Sequence, residues 1–292
     1  MNKFFGTGVA LVTPFNADKS VDIAGLERLV KFQISNGINY LVVLGTTGEP
    51  ATLTTEEKEL VKKTIIKANN AVLPLVLGIG GNNTAEVVEA VKNTDLSDFD
   101  AVLSVSPYYN RPSQEGIYQH FMAVGDACPK PLMIYNVPSR TGSNIEVDTV
   151  LRLANDCKNI FAVKEAAGDM VQAMALIQNA PSGFMVISGD DAIALPMTLA
   201  GGAGVISVIG QGLPEKFAKL IDLGLQNDAK NSFTLQYQIL DSIELIFSEG
   251  NPAGIKAMLQ QLDICSDEVR LPLVKASADL HQKIQTFIKN YK

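Results

Sequence analysis

Eight short runs rich in β-branched and apolar residues, each followed by a longer amphipathic stretch, constrain the fold of this chain more than any other feature. They fall at 8–13, 40–44, 75–77, 101–105, 132–135, 160–164, 185–188 and 204–207. A short apolar run reads as a strand covered on both faces, and the amphipathic stretch after it as the covering helix. The runs recur at close to the roughly 30 residues of a βα unit. Eight such units in one chain predict an α/β protein, a closed (β/α)8 TIM barrel, and a single barrel of about 250 residues fits the length of 292. An open doubly wound sheet is the alternative. It is disfavoured because Gly80-Gly81 is an isolated pair and no Gly-x-Gly-x-x-Gly opens the first βα turn.

Helix starts support the alternation. Thr54-Thr55-Glu56-Glu57 and Asn83-Thr84-Ala85-Glu86 both place a small polar cap before acids. After about Leu223 the strand signals stop, and 233–247, 252–262 and 273–291 carry helical periodicity instead. Residues 1–224 are therefore expected to form the catalytic barrel, and 225–292 a helical appendage packed on it.

Composition narrows the function classes. A net charge of −7 disfavours binding to nucleic acid or to an anionic membrane surface. No apolar run reaches the ~20 residues needed to cross a bilayer, and the N-terminal apolar stretch, soon interrupted by Pro14, is too short for a signal peptide. A cytoplasmic protein is expected. Cys128, Cys157 and Cys265 are odd in number and widely scattered, which points to neither a disulfide framework nor a zinc site.

In such a barrel the chemistry sits where the strands end. The second run ends in Gly45-Thr46-Thr47-Gly48-Glu49, whose hydroxyls and backbone N–H groups could bind a carboxylate or simply make a turn. The fifth ends in Tyr135, with Arg140 five residues on in the loop. The fourth leads into Ser106-Pro107-Tyr108-Tyr109-Asn110-Arg111-Pro112, a tyrosine pair suited to a site or to subunit packing. Lys164 closes the apolar run Ile160-Phe161-Ala162-Val163. Burial disfavours a charged amine, and a free amine can attack a ketone to give an imine; a lysine that snorkels to water stays open on position alone. The pair Asp190-Asp191 lacks a histidine or a further acid at metal-ligand spacing and reads as a helix N-cap, so no metal is expected. His120 and His281 both fall in helical patterns, which leaves proton transfer to hydroxyl groups.

Together Gly45-Thr46-Thr47-Gly48-Glu49, Tyr108-Tyr109-Asn110, Tyr135-Asn136-Val137-Pro138, Arg140-Thr141-Gly142, Val163-Lys164-Glu165 and Ser188-Gly189-Asp190-Asp191 resemble, in order and over essentially the whole chain, the dihydrodipicolinate synthase family. That resemblance implies an enzyme of lysine biosynthesis in which Lys164 forms an imine with pyruvate and the derived enamine attacks aspartate semialdehyde. It implies Tyr135 as proton donor and acceptor, linked through Thr46 to a Tyr109 that reaches the site from a neighbouring subunit. Thr47 would hold the pyruvate carboxylate, with Gly189 and Ile206 lining the same pocket. No cofactor is required, and a homotetramer of paired dimers is implied.

Arg140 decides between relatives. A guanidinium matches the carboxylate of aspartate semialdehyde by two parallel hydrogen bonds. N-acetylneuraminate lyase, similar in fold and lysine chemistry, resembles the chain less after Tyr135, and a non-catalytic barrel is at odds with the five retained groups. Two departures stand out. Ala167 occupies a position where the family often has a hydroxyl. Asn82, Glu86 and Tyr108 match the family's lysine-effector site, but Thr55 and Lys58 stand where sensitive members often carry histidines. Lys58 would place a cation near the effector's own ammonium, so weak or absent inhibition by lysine is expected.

Overall fold

The computed structural model describes residues 2–291. Eight parallel strands close into a barrel in sequence order: β1 Gly6–Ala10, β2 Tyr40–Val43, β3 Leu75–Gly78, β4 Ala101–Val105, β5 Leu132–Asn136, β6 Ile160–Glu165, β7 Met185–Ser188 and β8 Gly204–Ser207. Their covering helices are α1 Ile23–Ser35, α2 Thr55–Asn69, α3 Thr84–Asn93, α4 Gln114–Ala127, the single turn α5 Pro138–Thr141, α6 Val147–Asp156, α7 Met170–Asn179, α8 Ala194–Leu199 and α9 Pro214–Leu225. Then come α10 Ala229–Ser248, α11 Ala253–Gln261 and α12 Ala278–Tyr291.

The expected caps are present. Thr54 accepts from the Glu57 N–H while the Glu57 carboxylate accepts from the Thr54 N–H, a reciprocal box that closes the open end of α2. Asn83 accepts from the Ala85 N–H at the start of α3. Several boundaries differ from the pattern reading, and those of β1 and α12 have a local cause. β1 begins at Gly6, where pairing with β8 starts, and ends at Ala10. The reason is local: the Val12 N–H leaves the ladder and donates to the Gln211 side chain instead. α12 begins at Ala278, later than periodicity implied, because Ser277 caps it through the Leu280 N–H.

The barrel interior is plugged at one end and open at the other. Gly8 leaves room for the fully buried Tyr40 ring, which would lie 2.1 Å from any Cβ placed there. Phe4 meets Tyr40 edge-on at 5.5 Å and Phe161 at 5.4 Å, filling the end of the barrel where the strands begin. The other end keeps a cavity. Outside the sheet, the helices and strands share one contiguous apolar layer that takes in Ile239, Ile243 and Ile246 of α10, Ile255, Met258 and Leu259 of α11, and Leu280, Ile284 and Ile288 of α12. No helix of the described residues is long and apolar enough to cross a membrane. The three cysteines are buried and free.

Candidate active site

What aims the two central side chains is an irregularity in the sheet. β5 and β6 pair Leu132 with Ile160 but Met133 with Ala162, so one extra residue, Phe161, is accommodated between the pairs. Side chains alternate faces along a strand, so a one-residue slip exchanges inside for outside. After the slip Tyr135 pairs with Lys164. Tyr135 belongs to the interior cluster, and Lys164 shares its face. The Lys164 Nζ lies 4.3 Å from the centroid of the Tyr135 ring, and the two residues are 5% and 6% exposed.

The next residue, Glu165, takes the opposite face. Its buried carboxylate accepts from Asn136 Nδ2, Gln172 Nε2 and the Ala167 N–H, all at 2.8–3.0 Å. Burial pushes this carboxyl up, against the lowering pull of those donors. The network ties β5, β6 and α7 together beneath the lysine. At Ala167 it is the backbone N–H that is used, so this contact does not need a side-chain hydroxyl there.

Lys164 and Tyr135 open into a cavity of about 740 Å³. Thr46, Thr47, Arg140 and Gly189 line it too. Thr46 and Thr47 lie on one turn of 3-10 helix after β2; Thr47 is buried and Thr46 exposed. Arg140 lies on α5, a helical turn rather than open loop, at the exposed rim. Gly189 packs against the lysine itself: a Cβ there would fall 2.8 Å from Lys164 Cε and 2.6 Å from Ala166 Cβ. Ile206 is in the interior cluster, buried, and is not among the cavity-lining residues; Val208 of the same segment lines it.

Tyr109 does not reach this cavity within the chain. It is 89% exposed and held at a φ of +71°, a left-handed conformation uncommon for tyrosine. Asn82 and Tyr108 are brought together, Asn82 Nδ2 donating to the Tyr108 carbonyl at 3.0 Å. Glu86 accepts from Asn83, and Lys58 lies half-buried on α2. Among the described residues no hydrogen bond joins Glu86 or Lys58 to Asn82 or Tyr108.

Asp191 departs from the N-cap reading. The N-cap position of α8 is Ile193, without a side-chain cap. The Asp191 carboxylate instead accepts from the Val208 and Ile209 N–H groups at 2.8–3.3 Å, latching the loop after β7 to the loop after β8. Burial pushes it up to about 6, although its hydrogen bonds pull the other way. Asp190, at the cavity wall, makes a local turn through the Ala192 N–H.

Sequence reasoning missed the contribution of the C-terminal helices. Leu240, Ile243, Glu244, Phe247 and Ser248 of α10, with Asn251 after it, form one wall of the cavity. It also missed Lys256, whose Nζ bonds Glu49 at 2.6 Å with both side chains essentially inaccessible. Burial pulls the Lys256 ammonium below its usual range, while Glu49 opposes that pull. The available signal was a lone lysine inside Ala253-Gly254-Ile255-Lys256-Ala257-Met258-Leu259. Lys256 and Lys164 thus differ: Lys256 has a carboxylate partner, whereas among the described residues Lys164 has none.

Known proteins align with this geometry. The model of the dihydrodipicolinate synthetase family matches residues 3–291. A 4-hydroxy-tetrahydrodipicolinate synthase of Flavobacterium psychrophilum is 58% identical over 99% of each chain. Among solved structures, dihydrodipicolinate synthase from Aquifex aeolicus superposes with a TM-score of 0.94 at 38% identity over 98% of each chain. The chloride-inhibited enzyme from Acinetobacter baumannii, complexed with pyruvate, gives 0.95 at 37% identity over 99% of each chain.

Proposed function

The chain belongs to the dihydrodipicolinate synthetase family, and on that premise we propose that Lys164 is its nucleophile and that Tyr135, Thr46 and Tyr109 are its proton-transfer groups. Its activity is that of a 4-hydroxy-tetrahydrodipicolinate synthase, a lyase that condenses pyruvate with aspartate semialdehyde in the diaminopimelate route to lysine. The observation that carries the residue assignment is the setting of Lys164: buried, without an ion-pair partner among the described residues, and facing Tyr135 in a cavity with a guanidinium at its rim.

The Lys164 amine attacks the keto carbon of pyruvate, and loss of water leaves a protonated imine. That cation withdraws electrons from the methyl group, which gives up a proton to form the enamine. The enamine carbon then attacks the aldehyde, and the substrate's own amine attacks the imine carbon, closes the ring and frees the lysine. Tyr135, next to the Nζ, moves protons at each of these steps. Thr47 holds the pyruvate carboxylate, Gly189 leaves space for the lysine, and Ile206 packs beneath. Arg140 takes the carboxylate of the semialdehyde.

Tyr109, exposed and not among the residues lining its own chain's cavity, fits a residue donated to a second copy, within a homotetramer of paired dimers. Asn82, Glu86, Tyr108 and Lys58 form the effector region. Residues 1–224 are assigned as the catalytic barrel and 225–292 as its appendage. A cytoplasmic setting suits the three buried, free cysteines.

The test is reduction with borohydride in the presence of pyruvate, followed by peptide mass mapping. A permanent adduct on Lys164 is expected; an adduct elsewhere, or none, refutes the assignment. Arg140→Ala should raise KM for the semialdehyde and leave adduct formation nearly intact. Equal losses in both would remove Arg140 from its role.

A further inference from the structure

Thr47 and Asn251 meet at the cavity wall, where Asn251 Nδ2 donates to Thr47 Oγ1 at 2.9 Å. A hydroxyl carries one hydrogen and two lone pairs. Asn251 therefore occupies a lone pair and leaves the threonine hydrogen unspent, and among the described residues that hydrogen has no acceptor. The far end of the amide, Oδ1, is buried without a hydrogen-bond partner among the described residues, so the side chain's one hydrogen bond among them is to Thr47.

The amide is held in place from behind. It sits in the short link between α10 and α11, and five residues later Lys256 makes its buried pair with Glu49, two residues beyond Thr47. The same Glu49 carboxylate accepts from the Arg270 N–H at 3.1 Å, and the Lys256 Nζ also donates to the Glu268 carbonyl at 2.8 Å. The loop after β2 is thus held twice, once to α11 through an ion pair away from the cavity and once to the α10–α11 link through Asn251 at its wall.

We propose that Asn251 is a positioning residue for the reaction: by filling a lone pair of Thr47 Oγ1 it turns the threonine hydrogen toward the carboxylate of the bound 2-oxo acid. The inference rests on the reading of Thr47 as the anchor of that carboxylate. Asn251 acts through Thr47 and selects which way one hydroxyl points.

Steady-state kinetics of the full-length variants test it. Thr47→Val should raise KM for pyruvate roughly ten- to a hundredfold, the loss of one hydrogen bond to a charged group. Asn251→Ala should raise it by a smaller factor and leave KM for the semialdehyde unchanged. Combined with Thr47→Val it should add less than about twofold, because the group through which it acts is already gone. Asn251→Asp, nearly the same shape but able only to accept, should draw the threonine hydrogen to itself and raise pyruvate KM at least as much as Asn251→Ala. Multiplying effects in the double variant, or an Asn251→Asp enzyme with the parent's KM, would overturn the proposal and leave the role of Thr47 standing. An unchanged pyruvate KM in Thr47→Val would instead sink the reading of Thr47, and this inference with it.

Discussion

Gly189→Ala probes the geometry of the proposed nucleophile, Lys164, most directly. Gly189 does not occupy the left-handed region, so the substitution asks only whether there is space. There is little: the new methyl would stand 2.6 Å from Ala166 Cβ, 2.8 Å from Lys164 Cε and 3.1 Å from Lys164 Cγ, against ordinary contacts of 3.4–4 Å. Restoring contact moves the lysine Cε by about 0.6 Å and Ala166 by about 0.8 Å. Backbone at Ala166 resists, while the lysine borders open cavity and can swing away. Overpacking of this kind costs about 1–3 kcal/mol of stability, and a misplacement approaching 1 Å costs on the order of 10²-fold in rate. The variant should therefore stay folded, with a modestly lower unfolding midpoint, and lose about two orders of magnitude in kcat and in the rate of borohydride-trapped adduct formation. Activity within about threefold of the parent, or a loss that only tracks the fraction unfolded, would refute the reasoning.

Lys256→Met should cost about 3–5 kcal/mol in denaturant unfolding, because it strands the inaccessible Glu49 carboxylate. Adding Glu49→Gln should restore part of that loss, and no recovery would argue against the ion pair as the source. For Asp191, burial lifts the carboxyl from its ordinary 3.8 to about 6. The unfolded chain then releases this proton at lower pH than the native one, so the group's contribution is full below about pH 3 and is lost as pH rises to about 7, a change of roughly 3 kcal/mol. Asp191→Asn does not titrate, and its unfolding free energy should gain on the parent by that amount from about pH 3 to 7; a difference independent of pH refutes the claim. Titration with lysine should give weak or no inhibition because of Lys58, and strong inhibition at low concentration would overturn that expectation.

The barrel was legible because its signal is repeated eight times, and a buried parallel strand needs an apolar run whatever its neighbours are. Lys164 and Tyr135 stood out because polar groups at the ends of such runs carry a cost. Their facing each other was not legible, since it depends on the slip at Phe161, and both registers have the same composition. Asp191 was misassigned for a related reason. A carboxylate before a short helix looks like a cap, and only the closed barrel brings the Val208 and Ile209 N–H groups within its reach. Asn251 and Lys256 were out of view because their partners are 204 and 207 residues away in sequence, beyond any local pattern.

The clasp between the loop after β2 and the C-terminal segment has a bearing on how the protein is made. A growing chain carries Tyr135 and Lys164 long before it carries Asn251, Lys256 and Arg270. Until those last residues emerge from the ribosome, the turn bearing Thr46 and Thr47 lacks the tethers that set its shape. A prematurely terminated product would thus carry the proposed nucleophile without the tethers that shape the turn proposed to hold the keto acid.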